Sequence, residues 1–166
     1  AYSDAAVIPY PTQEQRISQT RYLATLCHGM GIDCPRISLI HCSEHIDERH
    51  FPHTGGYADI IERGRQGEFG PCIIDGPLDL KTSMCPESLA VKGIDSPVGG
   101  DADALVFPDI EAANVFHKTI TLLASARIAA VLQGPDVPVV MPSRGDDADS
   151  KYYSLALAAL QSLKNA

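Results

Sequence analysis

Ile37-Ser38-Leu39-Ile40-His41-Cys42, set after Pro35, is a short run rich in β-favouring residues and apolar on both faces. A strand of that kind has no solvent side and belongs inside a sheet covered from above and below. Similar runs recur at Cys72-Ile73-Ile74-Asp75, Ala104-Leu105-Val106-Phe107, Ala129-Ala130-Val131-Leu132 and Val137-Pro138-Val139-Val140-Met141. Between them lie helical stretches at Tyr57 to Arg65, Pro86 to Val91, Glu111 to Ala126 and Ala148 to Leu163. Another helix is predicted over residues 13 to 28. Its start is written in Thr12-Gln13-Glu14-Gln15, where the Thr12 hydroxyl can accept from the third amide while Gln15 reaches back. Ile17, Leu23, Leu26, Cys27 and Met30 follow at mostly helical spacing, and Gly29 and Gly31 supply the stop. Apolar runs alternating with helices predict an α/β fold, a mostly parallel sheet with helices on both faces.

With 45% hydrophobic residues among 166, the chain can bury one ordinary core. Its formal net charge of -8 would repel the phosphates of a nucleic acid or an anionic membrane. Lys, Arg and aromatic residues are not interleaved as a nucleic-acid face requires. Any anionic ligand must therefore find a local cationic site. No apolar run approaches the roughly 20 residues of a membrane-spanning helix. The cysteines (Cys27, Cys34, Cys42, Cys72, Cys85) are odd in number and lack CxxC spacing. They read as reduced thiols of a soluble, cytoplasmic protein. Ala1 to Ile8 begins inside an apolar stretch without a polar lead-in, which reads as a cut through a larger fold.

In open α/β sheets ligands sit outside the carboxyl ends of the strands, so the turn-rich loops there are where chemistry is sought. The sharpest group is Met141-Pro142-Ser143-Arg144-Gly145-Asp146-Asp147-Ala148-Asp149-Ser150-Lys151, between a β-run and the final helix. A hydroxyl and a planar cation at a strand end suit a phosphate or a carbonyl oxygen. The alternative is structural: Asp146 and Asp147 cap the helix and Arg144 pairs with one of them. Asp75-Gly76-Pro77-Leu78-Asp79 puts two carboxylates just beyond a strand, separated by a turn, itself a common arrangement. Asp109-Ile110-Glu111-Ala112-Ala113-Asn114 opens a helix with acids at its positive end, from which Asn114 could face a cleft. His41, Cys42, His45, His50 and His53 form a cluster that either holds zinc or is a polar loop, with spacing that matches no standard finger. There is no GxGxxG, no P-loop and no GxSxG elbow.

Taken together, Cys72 to Leu78, Ser96-Pro97-Val98-Gly99-Gly100-Asp101-Ala102-Asp103, Phe107 to Asn114 and Pro138 to Arg144 resemble, in order and spacing, the phosphate acetyl/butyryltransferase family. Asp4 and the Ile8-Pro9-Tyr10-Pro11-Thr12 entry to the first helix are similar to the family's mid-chain segment. The Asp-Gly-Pro-Leu form and the run from Ser150 to Ala156 are closer to its butyryl branch.

The resemblance implies an isocitrate/isopropylmalate-dehydrogenase-like fold in a parent chain about twice this length. Residues 1–140 would be its second domain and residues 141–166 a segment and helix of the first. The final helix would then show an apolar face that the absent part covers. The implied reaction exchanges coenzyme A and phosphate on a short-chain acyl group, with acyl-CoA as substrate, no permanently bound cofactor, no metal and a homodimeric enzyme. Ser143 and Arg144 match the family's catalytic pair. The acetyl branch carries an aspartate base seven positions beyond the serine, where this chain has Ser150, preceded by Asp149. Asp75, Asn114 and Ser150 are the implied substrate-binding residues. Ala113 replaces a common glycine, and Ala5 and Val7 also depart from the family pattern. A non-catalytic dimerisation or ligand-binding module is the alternative these departures allow, and a metal-dependent dehydrogenase of the same fold is a third.

Overall fold

Helix α1 (Gln13–Gly29) starts with the predicted reciprocal cap. The Gln15 amide donates to Thr12 Oγ1 at 3.3 Å, and the Thr12 amide donates to Gln15 Oε1 at 2.8 Å. The helix ends at Gly29, and past the Met30 cap the chain turns away at Gly31, whose φ of 91° is left-handed territory that a side chain would resist. Thr12→Ala removes one half of the cap and is expected to cost about 1 kcal/mol. Urea unfolding should show this as a lower midpoint at unchanged slope.

This computed structural model describes residues 1–164 and divides into two compact units, Ala1–Asn114 and Val115–Ala166. In the first unit, β1 (Tyr2–Ser3), β2 (Arg36–Ile40), β3 (Ile73–Leu78) and β4 (Ala104–Val106) form a sheet in the order β1-β4-β2-β3. Every pairing is parallel. The connections are α1, α2 (Tyr57–Arg65), and the pair α3 (Leu80–Met84) and α4 (Pro86–Lys92). Because successive strand residues point to opposite faces, Ile74 joins a core with Ile37, Leu39 and the inner sides of α1 and α2, while Ile73 packs with Leu78, Leu89 and Val98. Helices thus cover both faces, as the apolar runs require.

Three expectations need correction. Residues 129–132 and 137–141 add no strands; they meet in a single antiparallel bridge, Leu132 to Val139. A parallel pair needs a crossover of a dozen or more residues, which the short Gln133-Gly134-Pro135-Asp136 link cannot supply, and Pro138 has no amide to extend a ladder. Ser143 and Arg144 therefore follow a lone bridge, not a strand end. Asp75 does not lie beyond its strand: β3 continues through Gly76 and Pro77 to Leu78, with a register slip opposite Ser38 and Ile40. Short elements also escaped the sequence reading, namely β1, α3, and the 3-10 turn Pro52–Gly56 inside the long 43–56 stretch.

The second unit holds the end of α5 (Ile110–Leu123) and α6 (Ala148–Lys164). Ser154 and Ala158, one turn apart, are buried on α6. Ser154 Oγ accepts from the Ala130 amide at 2.9 Å and donates to Ser150 O at 2.7 Å. Tyr152, Leu155 and Leu160 on the same helix are 66%, 62% and 57% exposed. Among the described residues no helix is long and apolar enough to cross a membrane.

Candidate functional site

The Ser143–Asp146 segment closes on itself. The Ser143 amide donates to Asp146 Oδ2 at 2.7 Å, the Asp146 amide to Ser143 O at 3.1 Å, and the Gly145 amide to Ser143 Oγ at 3.3 Å. Asp147 then takes the capping role for α6, accepting from the Ser150 amide at 2.7 Å. That amide first, and the Ser150 hydroxyl next, hold the Asp147 carboxyl below its ordinary pKa. Both carboxylates nearest Arg144 are thus engaged by backbone donors. Among the described residues no carboxylate pairs with the exposed Arg144 guanidinium, so the charge-pairing half of the structural alternative does not hold. Asp149 is exposed in the first turn of α6, and Ser150 beside it is half-buried. Ser143, Arg144, Asp149 and Ser150 therefore share one short segment of the second unit.

Asp75 and Asn114 lie in the first unit. Asp75 is half-buried in β3 and in register with Ser38. Asn114 Nδ2 donates to Ala5 O at 2.9 Å. The loop after β1 that it holds is also organised by Asp4, whose carboxylate accepts from the amides of Ala6, Val7 and Ile8 at 2.9, 3.0 and 2.8 Å. Because the strands are parallel, this loop shares the sheet's carboxyl edge with His41, Asp79 and Phe107, the residues that follow the other three strands.

Asp79 was expected to lie past a turn; it caps α3, with Oδ1 accepting from the Thr82 amide at 2.6 Å and Oδ2 from Lys92 Nζ at 2.7 Å. Lys92 also donates to Glu44 Oε1 at 2.8 Å. Burial opposes the Asp79 charge, but the Lys92 and Thr82 hydrogen bonds outweigh it and bring the pKa from 3.8 to about 2. A depressed carboxyl pKa stabilises the fold above the unfolded value and loses that contribution as pH falls through the folded one. Asp79→Asn should therefore lower the urea midpoint at pH 6, with the difference from wild type shrinking as pH falls from 3.8 toward about 2.

The sequence reading missed Arg16, which is 4% exposed on the inner side of α1. Its Nη2 donates to Pro11 O at 3.2 Å and Pro108 O at 3.4 Å, and its guanidinium lies 6.0 Å from the Tyr57 ring centroid. A signal existed: Arg16, Thr20, Leu23 and Cys27 share one helical stripe, so a cation falls on the core-facing side. The histidines part into two groups, with His41 and His53 3.3 Å from each other. His50 pairs with Asp47 at 2.8 Å on the surface, His45 is exposed, and His41 is 5% exposed at the end of β2. Among the described residues no three His, Cys, Asp or Glu side chains converge as a metal ion needs, which gives the zinc alternative no support.

The chain is similar to known proteins in sequence and in fold. The family model described as phosphate acetyl/butaryl transferase matches residues 1–159. The chain is 36% identical over 158 residues to phosphate acetyltransferase of Thermotoga maritima, covering 95% of this chain and 53% of that protein. It is 34% identical over 163 residues to phosphate butyryltransferase of Clostridium beijerinckii, covering 98% and 54%. It superposes on a branched-chain phosphotransacylase from Enterococcus faecalis with a TM-score of 0.86 at 28% identity, covering 97% of this chain and 59% of that one. The chain spans about half the length of the curated relatives it matches. Carried through sequence and coordinates alike, the likeness shows that the chain belongs to the phosphate acetyl/butyryltransferase family.

Proposed function

We propose that this chain works as the C-terminal part of a longer phosphate acyltransferase that interconverts acyl-CoA and phosphate with acyl phosphate and coenzyme A. The observation that carries this reading is the exposed Arg144 guanidinium, which has no carboxylate partner among the described residues while Asp146 and Asp147 hold backbone amides. A planar cation in that state can meet a phosphate or a developing oxyanion with two parallel hydrogen bonds. Ser143 beside it supplies a hydroxyl for the acyl carbonyl.

In the direction of acyl-CoA formation, a base takes the coenzyme A thiol proton and the thiolate attacks the carbonyl of acyl phosphate. Arg144 and Ser143 stabilise the tetrahedral oxyanion as it forms. We assign the base to Asp149, because its carboxylate is exposed while the Ser150 hydroxyl bonds to Asp147. Asp75, Asn114 and Ser150 are assigned to substrate binding, Asn114 through the loop whose Ala5 carbonyl it holds. Coenzyme A is a substrate here, with no permanently bound cofactor. The butyryl-like sequence features favour short-chain acyl groups other than acetyl.

The same reading takes residues 1–140 as the second domain of an isocitrate/isopropylmalate-dehydrogenase-like fold and residues 141–166 as part of the first. A homodimer and a cytoplasmic location complete it. The exposed Leu155 and Leu160 support the domain assignment, since a covering domain would bury them. Acyl-hydroxamate formation from acyl-CoA and phosphate is the test. The intact enzyme should turn over a short-chain acyl-CoA while this chain alone does not; no turnover with any of them removes the proposal.

A further inference from the structure

Three side chains at the carboxyl end of β2 stand in line. The Cys42 sulfur lies 3.6 Å from His41 Nε2, and His41 Nδ1 lies 3.3 Å from His53 Nε2. Cys42 is exposed, His41 is buried, and His53 is half-buried in the 3-10 turn. Nucleophile, imidazole and a third group that orients the imidazole is the arrangement of an activated thiol. One set of protons satisfies it throughout: with both rings neutral, the thiol donates to His41 Nε2 and His41 Nδ1–H donates to His53 Nε2.

The surroundings hold this geometry. The His41 amide donates to Leu78 O at 2.8 Å, tying it to β3. Phe51 meets the His41 ring edge-on at 4.7 Å, and Tyr57 lies 5.8 Å from the His53 ring. Arg16 and Asp109 are the permanent charges acting on His53, and Asp47 is the one acting on His41. Burial, then the Arg16 charge and His41, push His53 down to about 4; burial also pushes His41 down, with Asp47 opposing. Burial thus favours the neutral His41 ring, the form that can accept a proton.

We propose that Cys42 is a nucleophilic thiol, with His41 as its base and His53 as the positioning residue, and that it accepts an acyl group from an acyl phosphate or an acyl thioester. The choice of acyl donor rests on the acyltransferase reading; the reactivity of the thiol does not. In the step, a bond forms between Cys42 Sγ and the acyl carbon, and the bond from that carbon to the phosphate oxygen, or to the thioester sulfur, breaks. The thiol proton passes to His41 Nε2 and then to the departing phosphate or thiolate. No oxidant or reductant is needed.

The experiment uses the 166-residue chain. Alkylation by iodoacetamide is followed at each cysteine by peptide mass spectrometry, with exposed Cys34 as internal reference. Cys42 should react at least about tenfold faster than Cys34 at pH 7, and His41→Gln should bring it down to the Cys34 rate. Because His41 is buried, His53→Asn is measured beside it, with circular dichroism to confirm folding; it should slow Cys42 and leave Cys34 unchanged. Acetyl phosphate and acetyl-CoA are then supplied separately, and a hydroxylamine-labile acetyl group on Cys42, absent from Cys42→Ser, identifies the donor. A Cys42 that reacts no faster than Cys34, or equally fast in the folded histidine variants, overturns the activated thiol. A fast-reacting Cys42 that gains no acyl group from either donor overturns the acyl assignment, and leaves Ser143 and Arg144 to be judged by hydroxamate formation alone.

Discussion

On the proposed acyltransferase reading, Arg144→Ala in the intact protein is expected to lower turnover about 100- to 1,000-fold, the range seen when one donor to a developing oxyanion is removed. An interaction made mainly in the transition state lowers kcat and kcat/KM together, so KM should change little. Arg144→Lys keeps the charge and loses the planar fork, and should recover only part of the rate. Neither substitution should move the urea midpoint, since the side chain is exposed and joined to no carboxylate among the described residues. Hydroxamate assays and unfolding curves on the same preparations separate the two effects. An alanine variant within a factor of three or so of wild type in kcat would remove Arg144 from the chemistry.

Gly76→Ala is the largest expected loss of stability. A Cβ at that position would lie 2.6 Å from Leu39 O and 2.7 Å from Leu39 Cβ, both on the neighbouring inner strand, where neither atom can swing aside. Opening the β2–β3 pairing to admit one methyl group should cost on the order of 3 kcal/mol, or a fall in Tm of about 10 °C. Gly145→Ala is the matched control, with nothing within 4 Å of the added carbon, and should stay within about 0.5 kcal/mol of wild type. Equal melting of the Gly76 and Gly145 variants would mean that the two strands tolerate a wider spacing than the structure gives them.

Periodicity carried most of the first unit. Helices α1, α2, α4 and α5 and strands β2 to β4 follow from apolar spacing and caps, because each of these elements has a full turn or several residues over which a pattern can repeat. The two residues of β1 leave no such trace, and α3 is barely more than one turn directly ahead of α4. Tyr2–Ser3 is a strand only because Leu105 and Val106 lie beside it. The apolar runs at 129–132 and 137–141 show the opposite failure: composition favours strands, but a short link and a proline deny them a sheet to join.

The candidate site was legible unevenly for the same reason. Ser143, Arg144, Asp149 and Ser150 are close in sequence, so their order and their likeness to a family motif were visible together. Arg16, His41, His53 and Tyr57 come from α1, the end of β2, the 3-10 turn and the start of α2; the histidine cluster was visible in the sequence, but not which of its members meet or that Arg16 and Tyr57 join them. Asp4 was legible as part of a family segment, but not its three amide contacts.

The linear order of residues by itself determined the α/β class, the parallel sheet with helices on both faces, the α1 cap and the family, because these depend on contacts a few residues apart or on motif order. Which carboxylates engage backbone amides, leaving Arg144 without one among the described residues, and which histidines line up behind Cys42 were decided only by the tertiary structure. Those pairings depend on distances of a few ångströms, several of them between segments whose approach is set by packing rather than by neighbours in the chain.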